Sequence, residues 1–372
     1  LDVDDQYVLW ANDGHPMWHG VSGPAECTPT PVPTPTCIHT FQDYGRYNSA
    51  CGQELSESNV RYQLEWVGTY DTGLYDDQAG EHIAYDAARS HVYMAQKLTT
   101  TVDVVDISNP AAPVHSANIP VAEIVQNATG FVTSSIESIA HGPLGFFAAA
   151  LVATPETDPG MLVFFTDSDE NYAYIGGVPT GAKPEGISIS ASGTTVVTID
   201  EGSSTETVDP EGSIPVAEVT VAPGAAMSSA SVSGTVYGFD ASTAGTAGMF
   251  DPDALRAKGV RIFRDFTAAV DLEPEGGHFT ADDSHFVVVF QDNNAIASMD
   301  MSTHKWTWIE GLSYRSSMDA PFDPSDKDDA VAIAGDWGGV TVKHMQQPDV
   351  VTSWTHNGVC HHAMANEGDA RD

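Results

Sequence analysis

A short strand opened by an acidic residue returns four times in this chain. The copies are Glu81-His-Ile-Ala-Tyr-Asp86, Glu137-Ser-Ile-Ala-His141, Glu185-Gly-Ile-Ser-Ile-Ser190 and Glu275-Gly-Gly-His-Phe-Thr280. A more apolar run follows each one, at His91–Ala95, Phe146–Val152, Thr194–Ile199 and His285–Phe290. A third run then ends in aspartate or a turn, at Val104–Asp106, Val163–Thr166, Val236–Asp240 and Ile296–Asp300. Pro348-Asp349-Val-Val reads as a fifth, degenerate start. The starts lie 56, 48, 90 and 74 residues apart. Such units bury their apolar faces only by stacking on their neighbours, and a four-stranded propeller blade takes ~40–50 residues. The expectation is therefore an all-β chain, a β-propeller with about five blades visible and seven or so when complete. The two long intervals are expected to hold surface insertions near 203–232 and 241–259.

The texture between the repeats agrees. From about residue 60, runs rich in Val, Ile, Phe and Thr alternate with Gly, Asp, Asn and Ser turns, as short strands do. Further strands are expected at Val260–Phe263, Ala295–Met299 and Trp306–Ile309, and a helix only at Pro252–Lys258. The longest apolar run, Leu144 to Ala153, is half the ~20 residues of a spanning helix and reads as a buried strand.

Residues 1–60 differ, and they are set apart as an N-terminal Cys/Pro/Thr-rich extension of a 61–372 propeller. Cys27, Cys37 and Cys51 fall within it and Cys360 lies far downstream. The clustering reads as a disulfide-stapled segment in an oxidising compartment, with zinc as the competing reading. Proline at 29, 31, 33 and 35 keeps the chain extended between Cys27 and Cys37. At ~3.1 Å per residue that run holds them ~30 Å apart, whereas a disulfide needs Cα atoms within ~7 Å. The favoured pair is Cys37–Cys51, leaving Cys27 for Cys360 or another chain. Thr28, Thr30, Thr34 and Thr36 are candidates for O-linked sugar, or part of a stiff spacer. Asn127-Ala-Thr129 is an N-glycosylation sequon. The chain starts at Leu1 without an initiating Met or a signal sequence, and is expected to be a processed chain or a fragment.

Acidic residues number 52 against 14 Lys plus Arg, a formal charge of -38. That charge argues against nucleic-acid partners and against anionic membranes. It points to a high-salt setting or to sites for hard cations. The repeat suggests where such sites lie, because the first strand of each blade lines the central channel. Glu81, Glu137, Glu185 and Glu275 would converge at one mouth, joined by Asp200, Glu201, Asp292 and Glu367 from the ends of other strands. Converging carboxylates cannot all stay charged and unpaired. A bound cation resolves this, and oxygen-only ligands suit calcium, or magnesium, rather than zinc. Pairing of each Glu with the neighbouring blade is the equally weighted alternative. Asp323, Asp326 and Asp328 form a second candidate calcium loop, although the EF-hand spacing is absent. His361 and His362 are adjacent and read as structural.

Several segments carry a family resemblance. Asp106-Ile-Ser-Asn-Pro110, Lys183-Pro-Glu-Gly186, Asp271-Leu-Glu-Pro-Glu275, Phe290-Gln-Asp-Asn-Asn-Ala-Ile-Ala297, Asp323-Pro-Ser-Asp-Lys-Asp328 and Ala365-Asn-Glu-Gly-Asp-Ala-Arg-Asp372 together resemble the choice-of-anchor I family, over about residues 60–372. The resemblance implies a secreted or surface-anchored β-propeller, similar to mesenchyme-specific cell-surface glycoproteins, with some members labelled alkaline-phosphatase-like. Family sequences continue past the last segment, so the chain is expected to lack C-terminal blades, or to be completed by another polypeptide.

No G-x-S-x-G elbow, P-loop or G-x-G-x-x-G occurs. The expected function is that of a secreted, glycosylated, divalent-cation-binding propeller at the cell surface. It would act as a structural or adhesive component alongside other chains of an extracellular assembly. The alternative is a metal-dependent phosphoesterase.

Overall fold

A computed structural model describes residues 66–73, 79–167, 171–202, 204–205, 207–316, 343–356 and 358–367. The N-terminal extension lies outside them. So do Cys27, Cys37, Cys51, Thr28, Thr30, Thr34, Thr36, Asp323, Asp326 and Asp328.

The fold is all-β and propeller-like. Its first antiparallel sheet is a meander of β1 (Ala79–Asp86), β2 (His91–Gln96), β3 (Thr101–Asp106) and β4 (Val114–Ile119). Helix α1 (Val121–Thr129) leads to the second sheet. It buries Val121 and Val125 and ends at Gly130 in the left-handed conformation. The second meander is β5 (Thr133–Gly142), β6 (Phe146–Ala153), β7 (Pro159–Thr166) and β8 (Tyr174–Ala182). The third is β9 (Pro184–Ile189), β10 (Thr195–Asp200), β11 (Ile214–Thr220) and β12 (Ser231–Tyr237). Helices α2 (Pro252–Ala257) and α3 (Ala268–Asp271) precede the fourth, which is β13 (Gly276–Phe279), β14 (His285–Phe290), β15 (Ala295–Asp300) and β16 (Lys305–Gly311). Two-stranded sheets follow, β17 (Arg315–Ser316) with β18 (Lys343–His344) and β19 (Pro348–His356) with β20 (Val359–Asn366).

The first strands form the inner line of the fold. β1 packs on β5, β5 on β9, β9 on β13 and β13 on β19. Strand alternation then fills the space between sheets, because successive side chains point to opposite faces. On β6, Phe147, Ala149 and Leu151 join Tyr93, Val104 and Phe165 between the first two sheets. Phe146 and Ala148 face the other way and meet Phe164, Val178 and Val196. Val197 and Ile199 then meet Phe286, Phe290 and Trp306 between the third and fourth sheets. Val287 and Val289 meet Val351 and Met364 of the last hairpin. The middle strands of the second, third and fourth sheets are thus covered on both faces. A fully buried Phe or Val contributes about 1.5–3 kcal/mol, which is why the apolar second strands were the clearest signal in the sequence.

Three expectations are corrected. The interval 203–232 is not a surface insertion, since it contains β11 and leads into β12. Consequently Val236-Tyr-Gly-Phe-Asp240 belongs to a fourth strand, and β11 is the third strand of that sheet. Val260–Phe263 is not a strand. Its Val260 and Ile262 enter the core from an irregular segment held by Arg261 N–H donating to the Asn293 carbonyl. Among the described residues the 241–259 interval contributes α2, at the expected place, with Asp251 as its N-cap and Pro252 opening it.

Candidate functional site

The acidic residue that opens a first strand sits in a β-bulge. Ile136 faces Leu151 and Ser138 faces Ala150, so Glu137 is the extra residue between them. Gly186 faces Ile199 and Pro184 faces Asp200, so Glu185 is likewise extra. Asp349 holds the same place between Pro348 and Val350. The Glu275 N–H donates to the carbonyl of Val289, the residue that Gly276 also faces. A bulge breaks the alternation and re-aims one side chain, here near the start of β9 and β19 and midway along β5. Glu81 lies in the corresponding irregular stretch of β1, outside the described side chains.

The bulged carboxylates meet different partners. Glu137 is buried, forms an ion pair with Lys97 at 2.7 Å, and accepts a hydrogen bond from Ser135 Oγ at 2.6 Å. Lys97 directly follows β2, so the pair crosses from the first sheet to the second. The equivalent residue after β10 is Glu201, which meets Glu275 of the next sheet where the first junction has a cation. Glu185, Glu201 and Glu275 each offer an oxygen within 4.8 Å of the other two. Lys183 completes the group, with Nζ 3.1 Å from Glu185 and 2.5 Å from Glu201. Its backbone is in the left-handed region, at φ 51°, an unfavourable conformation for a residue with Cβ. The Glu201 N–H donates to the Lys183 carbonyl and helps to hold that turn.

With three carboxylates and one ammonium, the group has a formal charge of -2. Desolvation and the Glu201 charge push the Glu185 carboxyl up, against the pull of Lys183. Desolvation, then Glu185 and Glu201, push Glu275 up further, and the two carboxyls hydrogen-bond each other. Burial is the larger cause of both shifts, and the neighbouring carboxylates add to it.

The other expected ligands lie apart from this group. Asp200 is wholly buried and accepts hydrogen bonds from Gly181 N–H at 2.5 Å and Ser213 Oγ at 2.8 Å. Burial raises its pKa to about 7. A Cβ on Gly181 would lie 2.2 Å from Ser213 Oγ, so only glycine permits this approach. Asp292 engages Arg261 through its carbonyl rather than its carboxylate, at 2.7 Å. Glu367 is exposed and accepts from Gln291 at 3.0 Å. Asn127 is exposed on α1. Cys360 is a free, half-buried thiol on β20, its Sγ 3.8 Å from His362 Nε2. His361 stacks on Trp354, and His362 bonds Ser353 Oγ at 2.8 Å.

A second group was not foreseen from sequence. Asp86, His141 and Asp167 also bring one ligand atom each within 4.8 Å of the others. The first two close the very segments whose opening glutamates drew notice, and Asp167 follows β7. Their signal was the last residue of each repeat copy rather than the first.

A family model described as the choice-of-anchor I domain matches residues 81–372. No curated protein is significantly similar to the chain. Among solved structures, a nidogen/laminin complex matches with 11% identity over 62% of this chain and 62% of that chain, at TM-score 0.33. A functionally unknown protein from Desulfotomaculum acetoxidans DSM 771 matches with 12% identity over 68% and 62%, at TM-score 0.42. A protein from Lactobacillus plantarum matches with 13% identity over 77% and 72%, at TM-score 0.40. The chain spans 62% of the length of each of the first two.

Proposed function

The chain belongs to the choice-of-anchor I family, and we propose that it acts at the cell surface as an extracellular structural or adhesive propeller holding a divalent cation on Glu185, Glu201 and Glu275. The observation that carries this reading is the substitution of charge at one sheet junction. Where the first junction pairs Lys97 with Glu137, the later one sets Glu201 against Glu275, and Lys183 cannot balance three carboxylates. A divalent ion matches the remaining charge of the group. An all-oxygen donor set suits calcium first and magnesium second, because calcium accepts several carboxylate oxygens without strict geometry. The three glutamates would hold the ion and Lys183 would move off their oxygens. Because the ion would join β9, the turn after β10 and the start of β13, it would tie two sheets together.

In the same reading, β19 and β20 are the inner pair of a fifth blade. The exposed sequon at Asn127 carries glycan on the outer surface, and the extension with its cysteines and threonines links the propeller to other chains. No specific observation favours the phosphoesterase alternative. The cation at the carboxylate group, Lys183, is engaged by Glu185 and Glu201, whereas that chemistry needs cationic groups turned toward phosphoryl oxygens.

The test is thermal unfolding in calcium and in chelator at matched ionic strength. Binding to the folded state alone raises the midpoint. The expected result is a higher midpoint in calcium, lost in a Glu185→Gln/Glu201→Gln variant. Equal midpoints in the two buffers would remove the cation from the account.

A further inference from the structure

The group at the other end of the first strands has a different chemistry. Asp86 closes β1, His141 lies near the end of β5, and Asp167 follows β7, so the group joins the first sheet to the second. Asp86 is 1% exposed and Asp167 is 4% exposed. His141 Nε2 hydrogen-bonds Asp167 Oδ2 and lies 3.9 Å from Asp86 Oδ2. The donor set is two carboxylates and one imidazole, which suits first-row transition ions rather than calcium.

Two further atoms point to a ligand. Tyr93 is fully buried, stacks on His141 at 5.7 Å between ring centroids, and its hydroxyl has no hydrogen-bond partner. Both the Asp167 and the Asp86 charges act on that hydroxyl. Asp167 Oδ1 is also buried without a partner. Gly145, at φ 89°, borders it so closely that a Cβ would lie 3.1 Å away. Buried polar groups in folded proteins are satisfied, so two orphans beside three metal-ligating side chains call for an occupant.

Arg89 supplies part of the answer. Its Nη1 donates to Asp86 Oδ2 at 2.7 Å and lies 3.2 Å from Asp167 Oδ2. The guanidinium sits between the two carboxylates from the β1–β2 turn, with 36% of its side chain exposed. It reaches neither orphan atom, and a long exposed side chain can turn outward into water.

We propose that Asp86, His141 and Asp167, with Tyr93 behind them, form a second cation site that takes a divalent transition metal of the zinc class, with Arg89 competing for the same carboxylate oxygens. Zinc sites commonly combine three protein ligands with a water or a fourth group. Tyr93 Oη, buried without a partner on the ring that stacks on His141, would serve that fourth position as ligand or as partner of the bound water. This site shares no residue with the calcium reading and stands whether or not that reading holds.

The experiment is calorimetric titration of zinc into the full chain, with calcium present throughout to occupy the carboxylate group. One equivalent is expected. His141→Ala and Asp167→Asn should each weaken it by about 100-fold or more, since even outer groups cost 10–100-fold. Arg89→Gln should tighten it by about tenfold, because it removes a competing positive charge. A second measurement, on the unaltered protein, guards against variants that fail to fold. Cobalt in place of zinc should give an intense low-symmetry visible spectrum and a shifted imidazole proton resonance. No zinc uptake would overturn the proposal and leave an enclosed water as the occupant. Uptake unchanged in folded His141→Ala, or cobalt without an imidazole signal, would overturn it equally.

Discussion

Replacing Glu275 by Gln should stabilise the protein in chelator and destabilise it in calcium. The substitution keeps the size of the side chain and leaves the amide able to donate to Glu185, while removing one charge from the group. Two charged carboxylates within 4.8 Å of each other repel by about 3 kcal/mol or more at an effective dielectric of ~20. Lys183 offsets part of this, and protonation offsets more. The net expectation in chelator at alkaline pH is a gain of about 1–3 kcal/mol, at roughly 2–4 °C in Tm per kcal/mol for a domain of this size. In calcium at about 1,000 times Kd the unaltered protein gains about 4.1 kcal/mol that the variant largely forgoes. The sign of the effect therefore reverses between the two buffers. The pH dependence follows from the same cause. Glu185 and Glu275 titrate above the ordinary value of 4.5 in the folded state, so their contribution is fully present below that value and lost as pH rises through the folded values. In chelator, acidification from about pH 8 to 5 should raise the midpoint of the unaltered protein more than that of Glu275→Gln. Differential scanning calorimetry measures all four conditions. A variant destabilised equally with and without calcium would refute the reasoning, because Glu275 would then act as a hydrogen-bonding strut rather than a repelled charge.

Other junctions give further expectations. Lys97→Met leaves Glu137 buried beside Ser135 without its cation, and should cost about 2–3 kcal/mol in denaturant unfolding, somewhat below a fully buried pair. Lys97→Met/Glu137→Gln should recover much of it. Burial, then His361 and His278, lower the His362 pKa to about 4. Its contribution is present above the ordinary 6.5 and lost as pH falls toward 4, up to about 3 kcal/mol. His362→Gln should flatten the acid side of the stability profile. Material from a secretory host should carry N-linked glycan at Asn127 and lose that mass in Asn127→Gln.

The middle strands of the second and fourth sheets were legible because burial on both faces writes itself into composition, and the inner strands because their acidic start repeats. Phe146–Ala153 and His285–Phe290 are buried at every position, and β2 starts at the expected His91 and runs one residue past Ala95. Of the outer strands, β16 was expected at Trp306–Ile309, whereas β4 and β8 were not. β4 is largely exposed, so Val-His-Ser-Ala-Asn-Ile carries no apolar pattern. β8 reads as a loop because Gly176 and Gly177 lie in it. A Cβ on Gly176 would come within 2.9 Å of Val232 of β12, so close packing between outer strands dictates those glycines. At the site, the acidic start of each repeat was visible. The bulge that re-aims it was not, because a one-residue slip in register leaves no mark on composition. Nor could the sequence show that Glu137 meets the ammonium of Lys97 while Glu275 meets the carboxylate of Glu201, since each pair is made across sheets.

The most direct test of the cation reading is a crystal structure grown in calcium with anomalous data. The account expects a single anomalous peak bounded by Glu185, Glu201 and Glu275, with carboxylate oxygens at about 2.3–2.6 Å and the Lys183 ammonium displaced from them. Lys183 still bridging Glu185 and Glu201, with no peak between the three carboxylates at millimolar calcium, would contradict it.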